Sequence, residues 1–181
     1  FGERNLRRLA EAVSQGAGLI MTGGFHSFGA GGYATTPLQD LLPVVMYPTE
    51  ILNEDELDES LQISNPVQML PTAEGRGDFV MRMGNLGDDN TGWEQLPKLE
   101  GATKLTPKKL GLARVLAETE TQQPLLIAQE YNPGRVMAFA GDTTYLWYLA
   151  GFAKEHQQFW RQVILWLANK DSQGDDSVWV K

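Results

Sequence analysis

The chain has 181 residues, with 15 Lys and Arg against 23 Asp and Glu, and therefore carries a formal net charge of −8. This length fits one domain with a buried core, and the hydrophobic fraction of 42% is typical of a globular protein. The acidic balance disfavours nucleic acid and anionic membrane surfaces as partners. No apolar run approaches the roughly 20 residues that span a bilayer, so we expect no direct membrane contact by this segment. The chain has no cysteine, which excludes a disulfide, a thiolate metal site and a cysteine nucleophile within it.

The first predicted elements are a helix and a strand. Apolar residues recur at helical spacing from Leu6 to Val13, which predicts an amphipathic helix over about residues 3–15. Gly16 is placed to end this helix. The short apolar run at 17–22 is bounded by glycines and predicts a buried parallel strand. A helix followed by a buried strand is typical of a doubly wound α/β sheet.

A glycine-rich loop, residues 23–33, follows this strand. In open α/β sheets, ligands bind at the carboxyl ends of the strands, so the loop is a candidate ligand site. Backbone N–H groups in such loops bind anions or carboxylates, and the alternative is a tight structural turn. The candidate ligand-binding residues of the loop are Gly23, Gly24, Phe25, His26, Ser27, Gly29, Gly31 and Gly32.

The middle of the chain shows little periodicity. One helical turn at 37–42 leads into a predicted strand at 44–46. Two more short strands are predicted at 61–64 and 78–83.

Three strands are predicted in the last third of the chain, at 112–118, 124–131 and 136–140. Residues 132–135 (Asn-Pro-Gly-Arg) are typical of a turn, with proline at the second position and glycine at the third. The last two strands are therefore expected to form an antiparallel hairpin near the C-terminus.

The residues after this hairpin have two interpretations. Asp142 or one of the threonines that follow it caps the next helix, or Asp142 and Thr143 are polar groups that face the glycine loop. A final helix is predicted at about 155–169. Its core-facing residues are expected to be Phe159, Val163, Ile164 and Leu167.

Two blocks of the sequence, residues 18–33 and residues 134–143, resemble a known family. They are similar to the glutamine amidotransferase-like domains of the class I amidotransferase superfamily, which is related in fold to the DJ-1/PfpI proteins. The resemblance implies a flavodoxin-like three-layer α/β/α fold with a mostly parallel sheet. It also implies one domain over residues 1–170, with further strands before residue 1, and a linker or a next element starting at 171–181.

The resemblance does not extend to the catalytic residues. Active class I amidotransferases hydrolyse glutamine with a cysteine on a strand–helix elbow, assisted by a histidine and a glutamate near the C-terminus. The segment 43–48, where the elbow is expected, has neither cysteine nor glycine, and Gly141-Asp142-Thr143 replaces the expected His-x-Glu. An activated nucleophile beside a base is the minimum for this chemistry. The sequence therefore predicts a non-catalytic domain that serves as a ligand-binding or protein-interaction module of a larger protein.

The alternative is a serine- or water-dependent hydrolase or amidase that uses Ser27 with His26, His156 or Asp142. Ser27 lacks the first glycine of a G-x-S-x-G elbow, and an extended backbone would point the neighbouring His26 away from it. A third hypothesis, a purely structural domain, predicts a filled crevice without convergent polar groups.

The expected partners are other domains of the same longer chain, other proteins, and a small anionic or carboxylate ligand. We expect no cofactor, and no metal site because the chain has only two histidines. The resembled family also occurs in membrane-anchored chains, so a soluble segment of such a protein fits the sequence, which does not define the compartment.

Overall fold

The computed structural model describes residues 2–83, 91–109 and 113–171. The helices are α1 (Glu3–Ser14), α2 (Leu38–Leu41), α3 (Tyr145–Leu149) and α4 (Ala153–Leu167). The strands are β1 (Gly18–Thr22), β2 (Gln62–Ile63), β3 (Leu70–Pro71), β4 (Ala102–Thr103), β5 (Arg114–Glu118), β6 (Pro124–Tyr131) and β7 (Gly134–Phe139). The chain is thus an α/β protein, and none of the helices within the described residues is long and apolar enough to cross a membrane.

The central sheet has five strands in the order β1-β7-β6-β5-β3, and β2 pairs with β4 in a separate small sheet. Only β1 and β7 are parallel, whereas the pairs β7–β6, β6–β5 and β5–β3 are antiparallel. The prediction of a mostly parallel sheet is therefore wrong for the described residues. Short turns join β5 to β6 and β6 to β7, and such turns can connect only antiparallel neighbours.

The turn between β6 and β7 starts one residue earlier than predicted. Tyr131 pairs with Gly134, which leaves Asn132 and Pro133 as a two-residue loop. Asn132 has a φ of +52°, and asparagine tolerates this left-handed conformation better than most residues. The positive φ at the first central position suits a two-residue hairpin.

Helices lie on both faces of the sheet. A Cβ atom added to Gly134 of β7 would collide with the Val13 carbonyl of α1, and one added to Gly18 of β1 would collide with Leu167 of α4. Gly18 pairs with Arg135, the residue after Gly134, and successive residues of a strand point to opposite faces. Therefore α1 and α4 cover opposite faces. The strand β1 is parallel to β7 as predicted but is not fully buried, because it lies at the edge of the sheet.

Helix α4 contributes aromatic side chains to the hydrophobic core. Phe159 packs against Trp93 and Trp147, with ring centroids 6.2 and 5.6 Å apart. The buried residues of α4 include Val163 as predicted, but Ile164 is 61% exposed. Ile164 lies about 100° around the helix axis from Val163, which turns it away from the sheet.

Two predicted strands in the middle of the chain are not strands. Residues 44–46 form an extended connection in which Val44 makes one isolated bridge to Pro107. Residues 78–83 contain a single 3₁₀ turn, Phe79–Met81. The Asp78 carboxylate accepts a hydrogen bond from Val80 N–H at 2.9 Å and thereby favours the turn over an extended strand.

The predicted strand at 61–64 is present as the two-residue β2, and the strand predicted at 112–118 is present as β5, which begins at Arg114. Residues 110–112 and 172–181, which include most of the expected linker, lie outside the described part of the chain.

Candidate functional site

The glycine loop and the segment after β7 meet at one edge of the sheet. Thr22 pairs with Phe139 at the carboxyl ends of β1 and β7, so Gly23 and Ala140 leave the sheet side by side. A Cβ atom on Gly23 would collide with the Ala140 carbonyl oxygen. Only glycine therefore permits this close approach of the two backbones.

The small sheet of β2 and β4 forms a third wall beside these two segments. The Thr103 N–H donates a 2.9 Å hydrogen bond to the Ala140 carbonyl. The Thr103 hydroxyl accepts from the Gly24 N–H at 3.1 Å, and it lies 3.3 Å from the Gly24 carbonyl and 3.3 Å from Gln62 Oε1. Thr103 is 5% exposed, and these bonds hold the small sheet against the loop.

A cavity of about 430 Å³ lies between the three walls. Its lining residues are Gly24, Phe25, Leu57, Glu59, Gln62, Ile63, Ser64, Glu100, Gly101, Ala102, Thr103, Ala140, Asp142 and Thr143. Four predicted site residues therefore come together in one space: Gly24, Phe25, Asp142 and Thr143. Asp142 does not cap the next helix, because α3 begins at Tyr145 with Thr144 at its N-cap position and without a side-chain cap.

The lining of the cavity is acidic. Three acidic residues, Glu59, Glu100 and Asp142, belong to the lining, and no Lys, Arg or His residue does among the described residues. The Thr143 hydroxyl accepts a 3.1 Å hydrogen bond from the Glu100 N–H, which holds the segment 100–102 against the strand end. Like charges repel, so this lining disfavours the expected anionic or carboxylate ligand.

Other predicted loop residues lie elsewhere. His26 is exposed, and its Nε2 lies 3.1 Å from the Asn53 carbonyl oxygen. Gly29 lies against the Glu50 side chain, and Gly31 against the Tyr33 ring. These contacts help to define the conformation of the loop.

Gly32 also shapes the loop. It has a φ of +77° and precedes the 3₁₀ turn Tyr33–Thr35.

Two residues of the hydrolase alternative, His26 and Ser27, line one groove, whereas Asp142 and His156 line separate ones. Ser27 is half-buried, and within the described residues its hydroxyl makes no hydrogen bond to either histidine. His156 lies on α4 against the Tyr148 ring, with centroids 6.2 Å apart, and burial lowers its pKa. Asp142 lines the acidic cavity, whereas Ser27 lines other surfaces.

The segment 43–48 has no elbow. Val45 N–H donates a 2.8 Å hydrogen bond to the Thr106 carbonyl, and Pro48 starts a 3₁₀ turn. An exposed nucleophile requires a sharp turn between a strand and a helix, which this extended segment does not provide.

Sequence comparison identifies the family. The profile of the family described as "Putative glutamine amidotransferase" (GATase1-like) matches residues 3–169, and the chain belongs to this family. A search of curated proteins gives no significant match.

Two solved structures share the fold. The cytoplasmic protein STM1381 from Salmonella typhimurium LT2 is 28% identical, with a TM-score of 0.62, and the match covers 90% of this chain and 60% of that one. The cytoplasmic protein STM3548 from Salmonella typhimurium is 22% identical, with a TM-score of 0.63, and the match covers 90% of this chain and 59% of that one. This chain thus spans about 60% of the length of these structures.

Ten of the fourteen lining residues were not predicted as site residues, among them Glu59, Gln62, Glu100 and Thr103. Gln62 and Thr103 belong to two-residue strands, and Glu100 lies in the connection before β4. Such short elements have no readable periodicity, so no local sequence signal points to them.

Proposed function

We propose that this chain is a non-catalytic amidotransferase-like domain that binds a small polar ligand in the acidic cavity. The observation that carries the proposal is the cavity itself, which is built by the loops that follow two adjacent parallel strands. Ligands bind at this edge of α/β sheets. Within the described residues no hydrogen bond joins Ser27 to either histidine, which supports binding rather than hydrolysis.

The chemistry of the lining defines the class of ligand. Carboxylates of Glu59, Glu100 and Asp142 accept hydrogen bonds from N–H or O–H donors and attract positive charge. Phe25, which is 52% exposed, offers an aromatic face to a cation or to apolar carbon atoms. The ligand is therefore a small molecule with amine or hydroxyl donors and without net negative charge.

The proposal also includes the layer architecture of the domain. The parallel pair β1–β7 and the helices α1 and α4 on opposite faces support a flavodoxin-like three-layer α/β/α domain of the DJ-1/PfpI type. The domain acts within a larger protein, which the partial coverage of the two solved structures supports.

Backbone amide chemical shifts test the ligand class. We would titrate the protein with ethanolamine as the amine, glycerol as the polyol and succinate as the carboxylate. The proposal expects shifts at Gly24, Thr103 and Thr143 with ethanolamine or glycerol, and none with succinate. Tightest binding by succinate, or shifts confined to other surfaces, would overturn it.

A pair of variants links the binding to the cavity. Asp142→Asn removes one lining carboxylate and should weaken ethanolamine binding about tenfold, which corresponds to about 1.4 kcal/mol. Asp55→Asn, at an exposed position outside the lining, is the matched control and should leave binding unchanged. Equal effects of the two variants would contradict the assignment of the site.

A further inference from the structure

The acidic residues of the cavity lie at two separate ends of the small sheet. Glu59 comes shortly before β2, and Glu100 comes shortly before β4. The two strands are antiparallel, with Gln62 opposite Thr103. Residues that precede two antiparallel strands lie at opposite ends of the pair, so Glu59 and Glu100 lie at opposite ends of the cavity wall.

Backbone contacts on both sides of this pair define the distance between the two ends. At one end, the Lys104 N–H donates a 2.8 Å hydrogen bond to the Leu61 carbonyl. At the other end, Gly101 lies against the Ile63 carbonyl. About three residues of strand separate the two ends, which corresponds to roughly 10 Å.

Asp142 belongs to the same end as Glu100. The Glu100 N–H donates to the hydroxyl of Thr143, the residue after Asp142, at 3.1 Å. The three carboxylates do not converge on one point, because within the described residues no three His, Cys, Asp or Glu side chains are placed to hold a metal ion together. The lining therefore suits an extended cation better than a compact one.

These carboxylates are not neutralised by neighbouring side chains. Glu59, Glu100 and Asp142 are exposed, and none of the ion pairs among the described residues includes them. The Lys104 ammonium, at the Glu59 end, donates to the Ser60 carbonyl at 2.7 Å. A single exposed ion pair contributes little free energy, so a ligand gains most by pairing at both ends.

Apolar residues lie between and beside the two ends. Ile63 pairs with Ala102 in the small sheet, and both line the cavity. Phe25 and Leu57 also belong to the lining, and both are largely exposed. Such a surface is stabilised by contact with methylene groups.

We propose that the ligand of the acidic cavity is a linear aliphatic diamine, with one ammonium group at Glu59 and the other at Glu100 and Asp142. This inference rests on the proposed function and narrows its ligand from any small donor to a dication. The methylene chain contacts the apolar residues between the two ends. It also links two weak ion pairs, so that the second ammonium binds at a high effective concentration.

A comparison of putrescine with butylamine tests the diamine, because the two molecules share one carbon chain and differ in the second ammonium group. Amide shifts at Gly24, Thr103 and Thr143 report the binding. Putrescine should bind about tenfold more tightly at low salt, and this preference should shrink at high salt because ions screen exposed pairs.

The other outcomes separate this inference from the proposed function. Equal affinity of the two amines would overturn the diamine and leave the proposed function intact. Binding of glycerol but of neither amine would have the same meaning. If putrescine, butylamine and glycerol all fail to shift these amides, both proposals are wrong.

A pair of variants tests the two ends. Glu59→Gln removes the carboxylate of one end, so the affinity for putrescine should fall to that for butylamine. Butylamine binds at the end with Glu100 and Asp142, and its affinity should change by less than about twofold. Glu54→Gln, at an exposed position of the same acidic segment outside the lining, is the matched control and should keep the preference for putrescine. An undiminished preference in Glu59→Gln would contradict the two-ended site.

Discussion

The hydroxyl of Thr103 lies 3.1 Å from the backbone nitrogen of Gly24 and 3.3 Å from its carbonyl oxygen, although the two residues are 79 positions apart in the chain. This contact joins β4 to the glycine loop at the edge of the sheet where the acidic cavity lies. The shape of the candidate site therefore depends on a threonine in a segment with little sequence pattern.

Replacing Thr103 by valine tests this dependence. Valine keeps the shape but leaves the half-buried Gly24 N–H without its acceptor, so the free energy of unfolding should fall by about 1 kcal/mol. Urea denaturation measures the change. Thr35→Val is the control, since this exposed hydroxyl makes only a 3.4 Å contact to the Gly32 carbonyl, and it should change stability by less than about 0.5 kcal/mol. Similar losses in both variants would contradict the role assigned to Thr103.

A methyl group at Gly23 should separate the two strand ends. Because the added Cβ would collide with the Ala140 carbonyl, Gly23→Ala should lower the free energy of unfolding by at least about 2 kcal/mol. Gly77→Ala is the control, since no heavy atom lies within 4 Å of its Cβ position, and it should change stability by less than about 1 kcal/mol. A Gly23→Ala protein as stable as the parent would show that the two backbones are not in this close contact.

The titration of His156 should make stability depend on pH. Burial lowers the pKa of His156 from its ordinary value of 6.5, so the unfolded chain binds the proton more tightly than the folded protein. The contribution of the neutral ring is therefore fully present above pH 6.5 and is lost as the pH falls through the pKa of the folded state. The His156→Gln variant should have a smaller loss of stability between pH 7 and pH 5 in urea melts. An unchanged pH profile in that variant would rule out this linkage.

The long elements are those that the sequence predicts well. Apolar periodicity predicts α1 and α4 to within about two residues, and the run at 124–131 coincides with β6. Both helices are long enough for several turns of one amphipathic face, which is a strong local signal.

Two features are harder to predict from the sequence: the direction of the strands and the structure of the middle of the chain. Strand direction depends on how successive strands are connected. A buried apolar run has the same sequence pattern in parallel and antiparallel sheets. Among the described residues between 60 and 109, the strands are only two residues long, and distant polar contacts join the segments. Gln68 Nε2, for example, donates to the Trp93 and Leu96 carbonyls at 2.8 and 2.9 Å. Such contacts join segments more than 20 residues apart and leave no periodic pattern.

The candidate site was predictable in part. The sequence indicated that the glycines after β1 and the polar residues after β7 lie at the same edge of the sheet. The reason is that the carboxyl ends of neighbouring parallel strands lie together. The charge of the cavity was not predictable, since Glu59 and Glu100 come from segments whose position depends on β2 and β4. In the proposed function, that charge favours a molecule with hydrogen-bond donors over a carboxylate.

Glutamate release from glutamine by the full-length protein distinguishes a binding domain from a hydrolase. A non-catalytic domain should show no release above the buffer rate, and no difference between the parent protein and Ser27→Ala. Release at an ordinary enzymatic rate of about 1 per second or faster, abolished by Ser27→Ala, would contradict it.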